Sequence, residues 1–363
     1  MEGRYLRFPG FIDVHVHFRD PGVPAAETRA TGTAAAAAGG FVRVVTMPNT
    51  SPAGDNPAWI REQIEDASLS CRISPSACIT RGREGREVAD LEALAAAGAV
   101  AFTDDGTYVD DARVMEEAMR RAARLGIPVM QHAVVPALLG AGVLRDCAVA
   151  RRFNLPVMPP AAEIEAVKRD LALVRVTGCA LHVQHISCAE TVELIREARS
   201  EGLPVTGEAT PHHLLLAAED IPDNDANWKM APPLGSRVDR AALRAGVMDG
   251  TLGIFATDHA PHPAAKKAGG FLGTANGIVG LETAVAATWQ AMVTEEGMDP
   301  VEWAKRWTEG PARLIGVPLE GETVIDTRAD REVDPAAFRS RSRNQPYTGR
   351  RFAVWPLAQT SNI

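Results

Sequence analysis

A short segment near the N-terminus, FIDVHVHFRDPG (residues 11–22), combines a strand pattern with two closely spaced histidines. The alternation in its first half predicts a β-strand, so His15 and His17 project from the same face at the C-terminal end of that strand. The Arg-Asp-Pro-Gly sequence that follows predicts a turn, which places Arg19 in the loop just beyond the histidines. Two adjacent imidazoles suit a metal ion, although an HxH pair alone is equally well explained as the polar end of a strand.

The composition is that of a globular protein that acts on small molecules. The chain has 363 residues, of which 46% are hydrophobic and 23% charged, enough to bury one large core or two smaller ones. The formal net charge of -8 argues against a nucleic-acid partner and against an anionic membrane surface. No apolar run of about 18 residues is present, so we expect no membrane span, and no signal peptide is recognisable.

Cysteine usage predicts a reducing compartment. The cysteines are widely spaced and form no CxxC pair: Cys71, Cys78, Cys147, Cys179 and Cys188. An odd number of scattered cysteines, several in apolar stretches, is typical of buried thiols in a cytoplasmic protein. We therefore expect a cytoplasmic location.

Short segments rich in Val and Ile alternate with Ala-rich amphipathic segments along most of the chain. This alternation is typical of βα units around a parallel sheet. Eight strands are predicted, at residues 10–17, 41–47, 72–80, 99–105, 128–133, 180–187, 204–211 and 253–259. They predict an α/β fold, a closed (β/α)8 TIM barrel over residues 1–315, followed by a less regular tail over residues 316–363.

Polar side chains gather where these predicted strands end. They are His15 and His17 (first strand), Asn49 (after the second), Asp104 and Asp105 (fourth), His132 (fifth), His185 (sixth) and Asp258 (eighth). The C-terminal ends of barrel strands face one pocket, so these dispersed positions converge. Several His with Asp suit Zn²⁺ with positions left open for water, whereas a structural zinc site would be richer in cysteine.

The motifs HVHFRDPG, MPNTSP, AFTDDG, LHVQHIS, EATPHHLLL and ATDHAPH stand in the order found in bacterial dihydroorotases, and the chain resembles that branch of the amidohydrolases from about Phe8 to about Gly349. The resemblance implies that the metal ligands are His15, His17, Asp105, His132, His185 and Asp258. It implies that the substrate is held by Arg19, Asn49 and His262, with the loop pair Asn276 and Gly277 beside them. Many relatives bridge two metals with a carboxylated lysine where this chain has Asp105. The number of bound Zn²⁺ ions, one or two, therefore remains open.

The implied reaction is the reversible hydrolysis of dihydroorotate to N-carbamoyl-L-aspartate, with Asp258 transferring the proton. Two alternatives remain. One is another cyclic amidase, an allantoinase or a dihydropyrimidinase, although these typically use the strand-four lysine and have less need of Arg19. The other is a weakly active scaffold subunit for aspartate transcarbamoylase. A homodimer is the expected assembly, with aspartate transcarbamoylase as a further candidate partner.

Some features depart from the family pattern or have a structural explanation. Ala231 stands where many members place a substrate-contacting Asn, and Ala133-Val134-Val135 replaces an acidic sequence after His132. Relatives build a small β-sandwich from their terminal segments, whereas residues 352–363 show no clear strand pair and suggest only a vestige of it. By alternation His182 and His259 face away from the site, His212 and His213 are more often structural, and only one of Asp104 and Asp105, favoured as Asp105, faces the metal.

Overall fold

Short strands alternate with helices along the chain in the computed structural model, which describes residues 3–66 and 69–359. The strands are β1 (Tyr5–Pro9), β2 (Phe11–Val16), β3 (Phe41–Thr46), β4 (Arg72–Pro75), β5 (Val129–Gln131), β6 (Leu181–Val183), β7 (Val205–Ala209), β8 (Ile254–Phe255), β9 (Glu322–Asp326), β10 (Arg331–Glu332), β11 (Arg351–Phe352) and β12 (Trp355–Pro356).

Helices connect the strands and cover the sheets. They are α1 (Arg29–Ala38), α2 (Pro57–Ile64), α3 (Leu91–Ala97), α4 (Ala112–Leu125), α5 (Pro136–Leu139), α6 (Ala148–Arg152), α7 (Ala161–Thr177), α8 (Ala189–Ser200), α9 (Pro211–Leu215), α10 (Arg237–Met248), α11 (Ala264–Lys267), α12 (Ala284–Thr288), α13 (Pro300–Lys305) and α14 (Glu309–Ile315). Local chemistry sets several boundaries: Ser236 caps α10 by accepting from the backbone N–H of Asp239, and Gly126 ends α4 in the left-handed conformation at φ 68°.

Two parallel sheets form the centre of the molecule, ordered β2-β3-β4 and β5-β6-β7-β8. The segment around Phe102 lies between them and forms single parallel bridges to Ala77 and to Val129. On the other side, Val16 at the end of β2 forms a parallel bridge to His259, just after β8. The architecture is therefore α/β, with parallel strands carrying helices on their connections.

The predicted strand at residues 99–105 is reduced to these contacts of Phe102. Its backbone still pairs on both sides, because the N–H of Phe102 donates to the carbonyl of Pro128 at 3.0 Å and the N–H of Thr103 donates to the carbonyl of Ala77 at 2.8 Å. The regular ladder ends early because the side chain of Thr103 captures the backbone N–H of Asp105 at 3.0 Å. The chain then turns, which brings Asp105 to the rim.

Apolar side chains pack on both faces of the parallel strands. The inner cluster joins residues from separate strands and from α14: Ile12, Val14, Val45, Met47, Ala101, Met130, Ile254, Ala256, Ala312 and Ile315. A larger cluster fills the layer between strands and helices and includes Phe11, Phe41, Trp303 and Trp307. This double burial explains why the strands read as nearly continuous apolar runs.

A separate antiparallel sheet joins the two ends of the chain. β1 pairs with β9 over Tyr5–Pro9 and Glu322–Asp326, and β12 pairs with the other edge of β9. β10 and β11 form a second, two-stranded antiparallel sheet. The expectation that residues 352–363 lack a strand pair is therefore wrong, although residues 360–363 lie outside the described part. Strands of two residues whose partners lie about twenty to thirty positions away leave no period-two signal in the sequence.

Across residues 3–66 and 69–359, we find no helix with the length and apolar character that crossing a bilayer demands.

Candidate metal centre

His15, near the end of β2, is fully buried and is held by a carboxylate on one side of its ring. Its Nδ1 lies 2.7 Å from Oε1 of Glu208 in β7. The opposite nitrogen, Nε2, is buried without a hydrogen-bond partner. It lies 3.4 Å from Oδ1 of Asp105 and 3.5 Å from Oδ1 of Asp258, so an unpartnered nitrogen faces two carboxylates.

His17, one residue beyond β2, faces the same carboxylates. Its Nε2 lies 3.0 Å from Oδ1 of Asp258 and 3.4 Å from Oδ2 of Asp105. Its Nδ1 lies 2.9 Å from Oδ1 of Asn49, in the loop after β3. The amide nitrogen of Asn49 in turn donates to Oδ2 of Asp105 at 3.3 Å. Asn49 therefore orients one histidine and one aspartate together.

His132 and His185 complete the cluster on the far side of Asp105. Nδ1 of His132 lies 2.8 Å from Nε2 of His185, and these nitrogens lie 3.6 and 3.8 Å from Oδ1 of Asp105. All six residues that the resemblance implied as ligands thus meet, and we call them the rim cluster: His15, His17, Asp105, His132, His185 and Asp258.

The donor atoms of the rim cluster fall into two groups that share Asp105. One contains His15, His17 and Asp105, and the other contains Asp105, His132 and His185, with the donor atoms of each group within 4.8 Å of one another. In this arrangement the ring of His185 lies beside that of His132.

The electrostatics of this cluster suit a cation. Burial alone would lower the pKa of His15, but Glu208, Asp105 and Asp258 outweigh that effect and raise it well above its usual range. The field that favours a proton on the buried Nε2 also favours a metal ion there. Imidazole and carboxylate donors around an unpartnered nitrogen are the ligand set that divalent transition metals prefer, so these residues fit a bound metal.

Asp258, three residues beyond β8, is a carboxylate that is ionised at neutral pH. Its burial alone would raise its pKa, but the charge of His15 and the hydrogen bond from His17 lower the pKa to about 2. Its φ of 46° is unusual for a residue with a side chain. A carboxylate at this position can accept a proton from a neighbouring group.

Five of the six residues of the rim cluster, all except His15, line a cavity of about 400 Å³. The lining residues include Arg19, Asn49, Ala231, Asn276 and Gly277, all noted from the sequence. His262 is not among those lining residues. Its Nε2 donates a hydrogen bond of 2.7 Å to the carbonyl of Asn276, which does line the cavity. Burial and the charge of Arg19 lower the pKa of His262 to about 4, so this ring is neutral at neutral pH.

The loop that carries Asn276 and Gly277 is tied to the body of the protein by two lysines. Nζ of Lys267 donates to the carbonyls of Lys229, Ala275 and Gly277 at 3.2, 3.0 and 2.9 Å. Nζ of Lys229 donates to the carbonyl of Thr274 at 2.6 Å. These bonds fix the cavity-facing backbone of the loop.

The other polar candidates lie outside the rim cluster. Asp104 accepts from the backbone N–H groups of Ile79 and Thr80 at 2.8 and 3.1 Å, so Asp105 and not Asp104 faces the site. The remaining histidines are held by separate partners: His182 by Thr206 and Glu208, His212 by Tyr347, His213 by Thr210 and the carbonyl of Pro232, and His259 by Glu27.

Two residues of this region were missed from the sequence. Glu208 binds His15, and it also accepts from Nε2 of His182 and the backbone N–H of His185, both at 2.9 Å. The sequence signal for Glu208 was an acidic residue inside the largely buried strand 205–209. A buried carboxylate needs hydrogen-bonding partners, so its position could have indicated a contact with a site residue. Arg83 lines the cavity, and its place in the loop after a parallel strand was the corresponding signal.

The chain is similar to known proteins both in sequence and in fold. Residues 3–191 match the model of the family described as dihydro-orotase-like. The dihydroorotase of Geobacillus thermodenitrificans (strain NG80-2) is 44% identical over 367 residues, covering 98% of this chain and 85% of the relative. That of Listeria innocua serovar 6a (strain ATCC BAA-680 / CLIP 11262) is 42% identical over 365 residues, covering 96% and 84%.

Among solved structures, the L-hydantoinase (dihydropyrimidinase) from Arthrobacter aurescens superposes with a TM-score of 0.83 at 24% identity, covering 97% of this chain and 83% of that one. This likeness shows a shared fold. The relatives at 42 to 44% identity go further and confirm the family that the motifs predicted. The chain belongs to the dihydroorotase family of cyclic amidohydrolases.

Proposed function

We propose that this chain catalyses the reversible hydrolysis of (S)-dihydroorotate to N-carbamoyl-L-aspartate, a step of de novo pyrimidine (UMP) biosynthesis. The observation that carries this proposal is that one cavity of about 400 Å³ is lined both by five residues of the rim cluster and by Arg19. A hydrolytic centre beside a carboxylate-binding group matches a cyclic amide that bears a carboxylate. The relatives named as dihydroorotases support the same substrate.

Zn²⁺, as one ion or two, is the proposed cofactor. His15, His17 and Asp258 would hold one ion, His132 and His185 would hold a second, and Asp105 would serve both, since it belongs to both donor groups. When bound, Zn²⁺ supplies Lewis acidity for the amide carbonyl and lowers the pKa of a water molecule to about 7. The unpartnered Nε2 of His15 supports this assignment.

Asp258 moves the proton in this proposal. Its carboxylate is ionised at neutral pH and lines the cavity, so it accepts a proton from the attacking water and returns it to the ring nitrogen as the C–N bond breaks. Its Oδ1 lies 3.0 Å from Nε2 of His17, which places the carboxylate among the proposed metal ligands. The reverse reaction uses the same group in the opposite order.

Arg19 binds the substrate carboxylate. Its Nε is buried without a hydrogen-bond partner, and a planar guanidinium grips a carboxylate through two parallel hydrogen bonds. Asn49 and the Asn276–Gly277 backbone, which line the same cavity, orient the ring, together with His262 behind Asn276. The buried surroundings of Arg19 strengthen an ion pair with a substrate carboxylate.

Substitution of Arg19 separates this function from that of a dihydropyrimidinase or an allantoinase, whose substrates lack the carboxylate. We expect Arg19→Met to raise the KM for dihydroorotate by several tenfold steps, because a buried charge pair that loses one partner typically costs about 3–5 kcal/mol. Any slow turnover of dihydrouracil should stay nearly unchanged. Arg29→Met, which removes an arginine that faces Asp20 in the same region, is the control. Equal losses on both substrates would show that Arg19 is structural.

The finer architecture belongs to the same proposal. We propose that the two parallel sheets close into an eight-stranded (β/α)8 barrel spanning most of residues 1–315, and that residues 316–363 form a reduced β-sandwich beside it. The bridges at Phe102 and between Val16 and His259 support closure. The pairing of β9 with β1 supports the second unit and adds the N-terminal strand to it.

Assembly and location complete the proposal. A homodimer is the proposed state, with aspartate transcarbamoylase as the alternative partner. Exposed apolar side chains on the segment between β5 and α7 support an interface there, at Leu138, Phe153 and Val157. The five cysteines, all buried and free of disulfides, support a reducing cytoplasmic location. Light scattering of the pure protein, with and without the transcarbamoylase, tests the assembly.

A further inference from the structure

Arg83 is a second arginine in the wall of the cavity, and the mechanism above does not use it. It ends the short helical turn Arg81–Arg83 with a left-handed φ of 59°. One of its guanidinium nitrogens, Nη2, donates to the backbone carbonyl of Asp105, which brings the charge beside the rim cluster. Its Nε is buried without a hydrogen-bond partner.

The neighbouring arginine of the same turn behaves differently. Arg81 is exposed and pairs with Glu87, with Nε 3.3 Å from Oε1. Arg83 has no carboxylate within ion-pair distance among the residues that the structure describes. One arginine of the turn is therefore neutralised at the surface, while the other brings an unpaired charge into the cavity.

Arg83 and Asn49 flank the same glycine. A side chain added at Gly106 would meet Nη2 of Arg83 and Nδ2 of Asn49, each at 3.4 Å. The backbone at Gly106, with φ of 78°, thus leaves room for two hydrogen-bond donors side by side. Arg19 lies close enough that burial, together with the repulsion of Arg83, lowers its pKa. The arginines that line the cavity are these two.

The charge of the ligand changes during the reaction, and this gives the second arginine a role. Hydrolysis adds water across the ring amide: the C–N bond breaks, a C–O bond forms, the nitrogen gains a proton, and the new acid loses one. Dihydroorotate has one carboxylate, and the open-chain product has two. The new carboxylate forms at the rim cluster, beside the strand end that Arg83 contacts through Asp105.

We propose that Arg83 is a specificity-determining residue that binds the carboxylate generated by ring opening, while Arg19 binds the one already present on the ring. The inference rests on the proposed function. Arg83 contributes to affinity for the open-chain dianion and little to affinity for the cyclic monoanion.

The test measures KM in both directions, at one pH, for the metal-loaded full chain and its variants. We expect Arg83→Met to raise the KM for N-carbamoyl-L-aspartate on the order of tenfold or more, as for loss of a charge-assisted hydrogen bond. The KM for dihydroorotate should change less than about twofold. Arg81→Met, on the same turn but paired at the surface, should alter neither value.

The equilibrium constant provides an internal check, since the ratio of kcat/KM in the two directions is the same for every variant. An equal rise of both KM values, or a loss of kcat in both directions with KM unchanged, would overturn the proposal and make Arg83 an anchor for Asp105. If Arg83→Met does not fold, Arg83→Gln, which keeps a donor for the Asp105 carbonyl, must show the same selective rise. A wild-type chain that converts neither compound would instead refute the proposed function.

Discussion

Two buried clusters of histidine and carboxylate lie on either side of the chain at Asp258 and His259, and they differ in how completely their polar atoms are satisfied. In the rim cluster, Nε2 of His15 has no hydrogen-bond partner and faces two carboxylates. The second, which we call the anchor cluster, consists of Glu27, His259 and Ser340. Apart from the half-buried His132 both are buried, and of these two clusters the rim cluster is the one whose residues line the cavity.

The anchor cluster leaves nothing for a ligand to satisfy. Oε2 of Glu27 accepts from Nε2 of His259 at 3.3 Å and from the hydroxyl of Ser340, and Oε1 accepts from the backbone N–H of Arg341 at 3.1 Å. Nδ1 of His259 accepts from the backbone N–H groups of Gly280 and Leu281. A buried polar group without a partner is costly, so an unsatisfied cluster indicates a binding site and a satisfied one indicates scaffolding.

The largest effect on metal content and activity should come from removing a histidine of the rim cluster. We expect His15→Ala to lose bound metal and to abolish turnover. The substitution removes the imidazole nitrogen that faces the carboxylates of Asp105 and Asp258, and with it one of the proposed metal ligands. Metal analysis of the purified variant and a turnover assay on dihydroorotate measure both. His212→Gln, at a buried histidine held by Tyr347, should keep its metal. Full metal content and rate in His15→Ala would contradict the site.

The next effect concerns proton transfer. Asp258→Asn keeps the shape of the side chain but removes the group that accepts the proton, so kcat should fall about 10²–10⁴-fold. The KM for dihydroorotate should change far less, since Arg19 is intact. Steady-state kinetics at saturating metal measure both. A near-normal rate in Asp258→Asn would show that another group accepts the proton, and His213 and Asp104 would then be the candidates.

A smaller effect should follow from substituting Glu208, which contacts the proposed metal ligand His15 but does not belong to the rim cluster. Glu208→Gln replaces an acceptor of His15 and His182 by an amide, so metal affinity or rate should fall about 10–100-fold. Competition with a chelator measures the affinity. Thr206→Val removes only the outer bond to His182 and should leave affinity unchanged. An unchanged affinity in Glu208→Gln would mean that other contacts orient His15.

The smallest effect on activity is expected in the anchor cluster. Both carboxylate oxygens of Glu27 accept hydrogen bonds, and Glu27→Gln replaces one of them by an NH2 group that cannot accept. The free energy of unfolding should therefore drop by about 1–3 kcal/mol. Metal content and KM should remain as in the wild type. Denaturant unfolding and metal analysis separate the two. Loss of metal without loss of stability would erase the distinction between the clusters.

The sequence alone predicted which strand ends supply the rim cluster. Parallel strands end at a common edge, so His15, His17, Asp105, His185 and Asp258 could be assigned to one site before any contact was known. The period-two rule also placed His259 on the opposite face, where it binds Glu27. The α/β class followed in the same way, because alternating apolar and amphipathic segments are a local property of the chain.

Tertiary structure alone decided which atoms meet. His15 and Glu208 lie 193 positions apart, and Tyr5 pairs with Asp326 across almost the whole chain. Local periodicity reports which face of an element is buried, and it is silent on which distant element packs against that face. The grouping of His185 with His132 and the inward turn of Arg83 depend on the same long-range packing. The histidines and aspartates of the rim cluster were therefore visible in the sequence, whereas the roles of Glu208 and Arg83 became visible only in the folded chain.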